Sequence, residues 1–201
     1  LRGAAPVNWA ILRGFKITGV TTFSLVDKMD AGPVFLKASL DIEPEERAGE
    51  LRSRLAKLGA ATMLQTLDAI QAGQQPQPQD DSQVSFAPIL KKSDGILDFR
   101  IPAEHVVWKI RGVWPWPGGR AVFNRGNKTF AVTISQACLG EGDAHAAPGV
   151  LDEDLCVSTT EGRLKIVEIQ PAGKRVMRWR DFVNGYRVVA GDAFSLPEVC
   201  K

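Results

Sequence analysis

The sequence predicts an α/β plus β chain, an incomplete α/β layer followed by a small β-barrel, and three observations carry that reading. A Pro/Gln-rich polar run, Gly73-Gln74-Gln75-Pro76-Gln77-Pro78-Gln79-Asp80-Asp81-Ser82, holds nothing to bury and interrupts the 201 residues. Before it, two segments of alternating polarity precede one long amphipathic helix. After it, short strand-like segments with turn signals accompany only two helical patterns.

In chain order, Val7 to Gly14 reads as a short helix and Thr22 to Val26 as a half-buried strand. Val34, Leu36, Ala38 and Leu40 alternate with Phe35, Lys37 and Ser39 as a second strand. Pro44-Glu45-Glu46 is expected to open the long helix, because proline suits the first helical position and early acids meet the positive end of the dipole. The apolar stripe of that helix runs Leu51, Leu55, Leu58, Met63, Leu67 and Ile70, and it stops at Gly73. Two strands and two helices cannot cover both faces of a doubly wound sheet. An exposed strand edge or apolar patch is therefore expected, and with it self-association through the incomplete sheet.

Beyond the polar run, Ala103, Val107, Ile110 and Trp114 share a helix face that Trp114-Pro115-Trp116-Pro117-Gly118-Gly119 terminates. A Gly126-Asn127 turn leads into Phe130, Val132 and Ile134, which alternate with Thr129, Ala131 and Thr133. Further strands are expected at Leu155 to Ser158 and Arg163 to Ile169, joined near Glu161-Gly162, and Trp179, Phe182, Val183 and Tyr186 mark a last helix. Short strands with two helices suggest a barrel of the oligonucleotide-binding type.

Composition sets bounds on function. Apolar residues at 44% and charged residues at 24% are those of an ordinary globular protein. No run approaches the ~18 apolar residues of a membrane span, and the first residues hold no signal core, so no membrane partner and a cytoplasmic location are expected. Leu1 is not an initiator methionine, so the chain is read as a piece of a longer one. Cys138, Cys156 and Cys200 are an odd set without paired spacing, expected as packed thiols rather than disulfides or a zinc site. Residues 1–90 carry 9 Lys/Arg and 10 Asp/Glu, and residues 91–201 carry 16 and 13, so charge rises from −1 to +3 along the chain. That gradient permits a nucleic-acid partner without requiring one.

Few residues have the setting that chemistry needs. Asp30, in Lys28-Met29-Asp30-Ala31-Gly32-Pro33, is either a turn residue or a carboxylate at a strand end beside a crevice, where α/β folds place ligands. Asp27 is a weaker candidate of the same kind. His105 and His145 have no partner at ligand or base spacing, and no nucleophile signature, phosphate loop or metal cluster occurs. Lys174, Arg175, Arg178 and Arg180 place four cations in seven residues. They are either a solvated helix start or a phosphate-contacting edge, which Lys91, Lys92, Arg120, Arg125 and Lys128 would extend. Trp114 and Trp116 are read first as core anchors and second as platforms for bases.

Several segments together resemble the methionyl-tRNA formyltransferase family. Leu1-Arg2-Gly3-Ala4-Ala5-Pro6 is similar to the segment after that family's folate-binding loop. Thr18-Gly19-Val20-Thr21 and Met29-Asp30-Ala31-Gly32-Pro33 resemble its next strand and the loop bearing its catalytic aspartate. The stretch from Phe86 to Phe99 resembles the entry to its C-terminal domain, and Pro115-Trp116-Pro117-Gly118 and Gln170-Pro171-Ala172-Gly173-Lys174 resemble two later signatures. The matches run in family order along nearly the whole chain.

The resemblance implies formyl transfer from 10-formyltetrahydrofolate, as co-substrate, to the amino group of initiator methionyl-tRNA, with no metal. It implies three parts: residues 1–73 as the C-terminal part of a doubly wound formyltransferase domain, 74–95 as a linker, and 96–201 as a tRNA-binding β-barrel. Of the family's catalytic groups only the aspartate carries over, to Asp30, where it would favour a protonated histidine neighbour. The polarising asparagine and histidine and the Ser-Leu-Leu-Pro folate loop would precede Leu1, so the chain alone is expected to bind folate poorly and transfer no formyl group. Arg47 departs from the family's usual threonine. Related folate-dependent formyltransferases and formyl hydrolases share the Asp30 region, and a free-standing RNA-binding module is the reading from a different class.

Overall fold

In the computed structural model, which describes residues 1–197 apart from the Gln83 side chain, the two alternating segments pair as an antiparallel sheet. β1 (Ile17–Phe23) runs against β2 (Val34–Asp41) from Ile17 opposite Asp41 to Phe23 opposite Val34. The first strand is therefore not Thr22 to Val26: it begins earlier and stops at Phe23, where the Ser24 N–H turns to the Pro33 carbonyl at 2.9 Å. The parallel winding expected of a doubly wound layer is absent from these two strands.

α1 (Pro6–Leu12) starts on a proline, and α2 (Ala48–Gln71) is the long helix. Pro44 does not open α2. Arg47 is its N-cap, and Glu46 is spent on the preceding turn, accepting the Glu43 N–H at 3.1 Å and pairing with Arg54 at 2.7 Å. The first half of the predicted stripe is buried: Leu51 and Leu55 pack with Ala10, Ile11, Ile42 and Ala48. The second half is not. Thr62 and Thr66 face inward, with the Thr66 hydroxyl 2.7 Å from that of Thr22, while Met63, Leu64, Leu67 and Ile70 lie in solvent at 45–66% exposure. The inward seam steps 51, 55, 59, 62, 66, so Leu67 falls about 100° beyond it on a helix of 3.6 residues per turn.

The chain divides into two compact units, Leu1–Leu90 and the residues from Lys91 onward. Residues 74–95 are thus not a free linker. Gln77 exchanges two 2.7 Å hydrogen bonds with Val34, Ala87 donates to the Arg2 carbonyl at 2.7 Å, and the Trp9 indole donates to Pro88 at 2.8 Å. Lys92–Gly95, a 3-10 turn, belongs to the second unit.

That unit is a nearly closed antiparallel barrel. α3 (Ala103–Val113) precedes β3 (Gly119–Arg125), β4 (Lys128–Gly140), β5 (Val157–Ser158), β6 (Arg163–Pro171), β7 (Met177–Arg178), α4 (Trp179–Tyr186) and β8 (Ala193–Ser195). The strands order β5-β6-β4-β3-β8, with β7 on β6, and Val150 and Leu151 bridge to Ala193 and Val157 to join the two edges. β5 is shorter than expected because Leu155 takes a φ of 58° in a turn whose amides, Asp154 and Cys156, are held by the Asp152 carboxylate. Arg163 locks that turn through 2.9 Å pairs to Asp152 and Asp154. Inside, Phe123 meets Phe182 edge-on at 5.2 Å, and eighteen buried side chains form one continuous core. Cys156 is buried, which pushes its thiol pKa up, and Cys138 is half-buried; both are free thiols, and Cys200 lies outside the described residues.

Candidate functional site

The β1–β2 loop brings Asp30 to a place where three chain segments meet. The turn expected from Asp30-Ala31-Gly32-Pro33 is present, and it is tight: a Cβ at Gly32 would lie 1.7 Å from the Ser24 carbonyl oxygen. Asp30 itself has a φ of 54°, a left-handed conformation that Asp and Asn adopt more readily than other side-chain-bearing residues. Its Oδ2 accepts the Gly3 N–H at 3.0 Å, and its other carboxylate oxygen has no hydrogen bond among the described residues. Gln79 fixes the loop from below, donating to the carbonyls of Asp30 at 3.1 Å and Gly32 at 2.7 Å while accepting from Arg2 at 2.8 Å. Arg2 also pairs with Asp81 at 2.9 Å. A hollow of about 400 Å³ opens beside the carboxylate, lined by Gly3, Lys28, Met29 and Phe86 among others. Asp27 lies exposed in the same loop.

Gln79 has no signal in the sequence, since it is one of four glutamines in a polar run and its reach across 47–77 residues has no local signature, and Arg2 and Gly3 stand there only within the Leu1–Pro6 resemblance. The arrangement can hold one hydrogen-bond donor or cation at the open carboxylate oxygen, facing the hollow.

In the second unit the predicted basic residues occupy three different elements. Lys91 and Lys92 begin the 3-10 turn, where the Arg120 guanidinium donates to the Lys92 carbonyl at 2.6 Å. Arg120, Thr133 and Gln170 are cross-strand partners on β3, β4 and β6, so their side chains share the outer face, opposite the buried Ala121, Val132, Ile134 and Ile169. The Gln170 amide donates to the Lys174 carbonyl at 2.8 Å, which seats Lys174 at the far side of that face. A band thus runs from Lys91 and Lys92 through Arg120 to Lys174 and Arg175. Only the end of the run is a helix start: Lys174 and Arg175 lie in irregular chain before β7, Arg178 ends β7 opposite Glu168 and is the N-cap of α4, and Arg180 lies on α4.

The other candidates separate. His105 packs against Trp108 at 4.8 Å on α3. Trp114 is half-buried but Trp116 is 53% exposed, so the expected core role of Trp116 does not hold. No helix of the described residues is long and apolar enough to cross a membrane.

Comparison with known proteins matches both units. Residues 1–67 match the family described as formyl transferase, and residues 89–187 match the formyl transferase C-terminal domain. A methionyl-tRNA formyltransferase of Solibacter usitatus is 40% identical over 199 residues, covering 95% of this chain and 61% of that protein. The chain therefore spans about three fifths of the length of the curated relatives it matches. HypX from Aquifex aeolicus in complex with tetrahydrofolic acid superposes with a TM-score of 0.65 at 19% identity, over 92% of this chain and 33% of that one. An N-formyltransferase from Helicobacter canadensis, in complex with folinic acid and dTDP-3-aminofucose, gives 0.65 at 16% identity over 87% and 62%. At such identities the two structures speak for the fold alone.

Proposed function

The chain belongs to the formyl transferase family, and from that premise we propose that it supplies the aspartate and the RNA-facing surface of an enzyme that formylates initiator methionyl-tRNA. One observation carries the RNA half of this reading. Lys91, Lys92, Lys174, Arg175, Arg178 and Arg180 are all exposed and none forms an ion pair among the described residues, whereas Arg100 and Arg163 of the same unit are both paired. Cations that serve a fold are matched within it; cations left open along a band are free to displace the counterions of a phosphate backbone. In this reading the barrel is of the oligonucleotide-binding type, its outer face at Arg120, Thr133 and Gln170 carries the RNA backbone, and the protein is cytoplasmic.

The formyl donor is 10-formyltetrahydrofolate, with no metal involved. The Asp30 hollow fits its approach in size and character, with an open carboxylate oxygen and the apolar flanks of Met29 and Phe86. The donor supplies the formyl group; Asp30, anchored by Gly3, holds a protonated partner in place and raises its basicity. Residues 1–201 alone bind tRNA but transfer no formyl group, because the family's polarising asparagine and histidine have no counterpart at these positions.

The test is an anisotropy titration of the chain with initiator tRNA at several salt concentrations. Changing Lys174 and Arg175 to Gln should lower the slope of log affinity against log salt by roughly 0.7 to 0.9 per lost phosphate contact. Thermal unfolding should barely change, since exposed unpaired charges contribute little to folding. Intact binding with an unchanged slope would move the phosphate path to Lys91, Lys92 and the hairpin of Arg120, Arg125 and Lys128. Absence of tRNA binding would end the RNA reading.

A further inference from the structure

At one end of the barrel, α4 and the β6–β7 turn enclose a groove of about 790 Å³ that the phosphate band leaves unexplained. Phe130 and Tyr186 are the aromatic part of its lining. Tyr186 stacks on Phe182 at 4.2 Å and 18° and lies perpendicular to the Phe130 ring at 5.0 Å and 86°. Lys174 also stands over the Tyr186 ring, its ammonium 5.5 Å from the ring centre. Asp181, exposed and five residues earlier on α4, also lines the groove and has no bonded partner among the described residues. Between them is Gly185, where a Cβ would meet nothing within 4 Å. Glycine inside a helix weakens it, and here no neighbour requires the missing side chain, so the bare backbone serves to keep the groove open.

We propose that this groove takes a single unstacked guanine nucleotide of the bound RNA, with Tyr186 as its stacking platform, Lys174 on its phosphate and Asp181 reading its base edge. An aromatic ring in the groove wall is what a splayed base stacks on, and stacking there outweighs the exposed cation–π contact that Lys174 now makes. Lys174 is thereby released towards the phosphate. A carboxylate only accepts hydrogen bonds, and guanine alone among the four bases presents two adjacent donors on one edge, N1–H and the N2 amino group. Uracil offers one donor between two carbonyls, which a carboxylate repels. The groove also has the size of an ordinary small-ligand site. This inference rests on the RNA-binding reading above and adds to it a base-specific contact.

Tyr186 is the single tyrosine of the chain, so the whole 201-residue protein made with 3-fluorotyrosine gives one fluorine resonance that reports on the groove. It is titrated with the RNA pentamers UUGUU, UUAUU, UUCUU and UUUUU, and binding is followed in parallel by anisotropy. UUGUU should shift the resonance saturably and bind about fivefold or more tighter than UUUUU, the lower end of what a two-bond base contact provides. Asp181→Asn should erase that preference. If RNA binds by anisotropy but the tyrosine resonance stays still, the groove is not the site and the proposal fails while RNA binding stands. Equal binding of all four pentamers, or a guanine preference that survives Asp181→Asn, also overturns it. If neither pentamers nor initiator tRNA bind, the RNA-binding reading falls and this inference with it.

Discussion

The two units solve the problem of burying apolar surface to different degrees. From Lys91 onward, strands join edge to edge around Phe123, Phe182 and Phe194, and the core is continuous. In Leu1–Leu90 two strands and two helices enclose a much smaller core around Ile11, Leu51 and Leu55. Met63, Leu64, Leu67, Ile70 and Ile17 remain in solvent, and β1 has no strand on its second edge among the described residues. A closed barrel satisfies its own backbone and side chains, whereas an open two-stranded sheet needs further structure to do so. The unit whose packing is complete carries the proposed binding surface, and the unit whose packing is incomplete carries the proposed carboxylate.

The largest expected effect tests that division of labour. In an enzyme with the whole catalytic domain, Asp30→Asn should lower the formylation rate by on the order of ten-thousand-fold, the cost of losing the aspartate that sets the histidine in a Ser-His-Asp triad. Asparagine keeps the shape and tolerates a φ of 54°, so urea unfolding should be unchanged. Wild-type turnover in that variant would remove the chemistry from the first unit.

Next in size is the contrast between the cores. Phe182→Ala should destabilise the barrel by about 3–5 kcal/mol, because the site is fully enclosed and cannot collapse onto the gap. Leu67→Ala, on the bare side of α2, should change stability by less than about 0.5 kcal/mol, as for an ordinary surface substitution. The same bare stripe is where one copy is expected to associate with another. Sedimentation at micromolar concentration should show association that Leu64→Glu with Leu67→Glu removes, and a strict monomer would break the comparison.

The smallest effect sharpens the picture of the barrel's surface. Arg100 donates two side-chain hydrogen bonds to Asp98 at 2.8 Å and holds that carboxyl at about 2, below its usual 3.8. A lowered carboxyl stabilises the folded state above its unfolded value and ceases to do so as pH falls through the folded one. Asp98→Asn should therefore lower the urea midpoint slightly near neutral pH, and the difference should vanish between about pH 4 and pH 2. The effect is small because Arg100 is 68% exposed. A midpoint difference that persists at pH 2 would assign the effect to shape rather than charge.

Signals confined to a few neighbours were legible in the sequence. The Gly126-Asn127 hairpin, the alternation of β2 and β4, the short first helix and the helical face of Trp179, Phe182 and Tyr186 depend on spacing within one element, and they stand as expected. The basic residues were also legible as a set, because composition reveals charge. Their arrangement was not: only strand register places Thr133 and Gln170 beside Arg120, and only the Gln170 hydrogen bond seats Lys174 across that face.

What the sequence by itself determined is the order of the longer elements, without β7 and β8, the division into an α/β part and a barrel, and the presence of a turn at Asp30. Tertiary structure decided which face of α2 is buried, because Thr22 on β1 selects Thr66 as its partner and turns Leu67 outward. It also decided that residues 77–88 fasten to the first unit instead of hanging free, and that the Asp30 carboxylate meets the Gly3 amide twenty-seven positions away. The physical reason is the same in each case: propensity and periodicity act over one or two turns of chain, whereas a buried hydroxyl or a backbone amide must find its hydrogen bond wherever the fold places a partner.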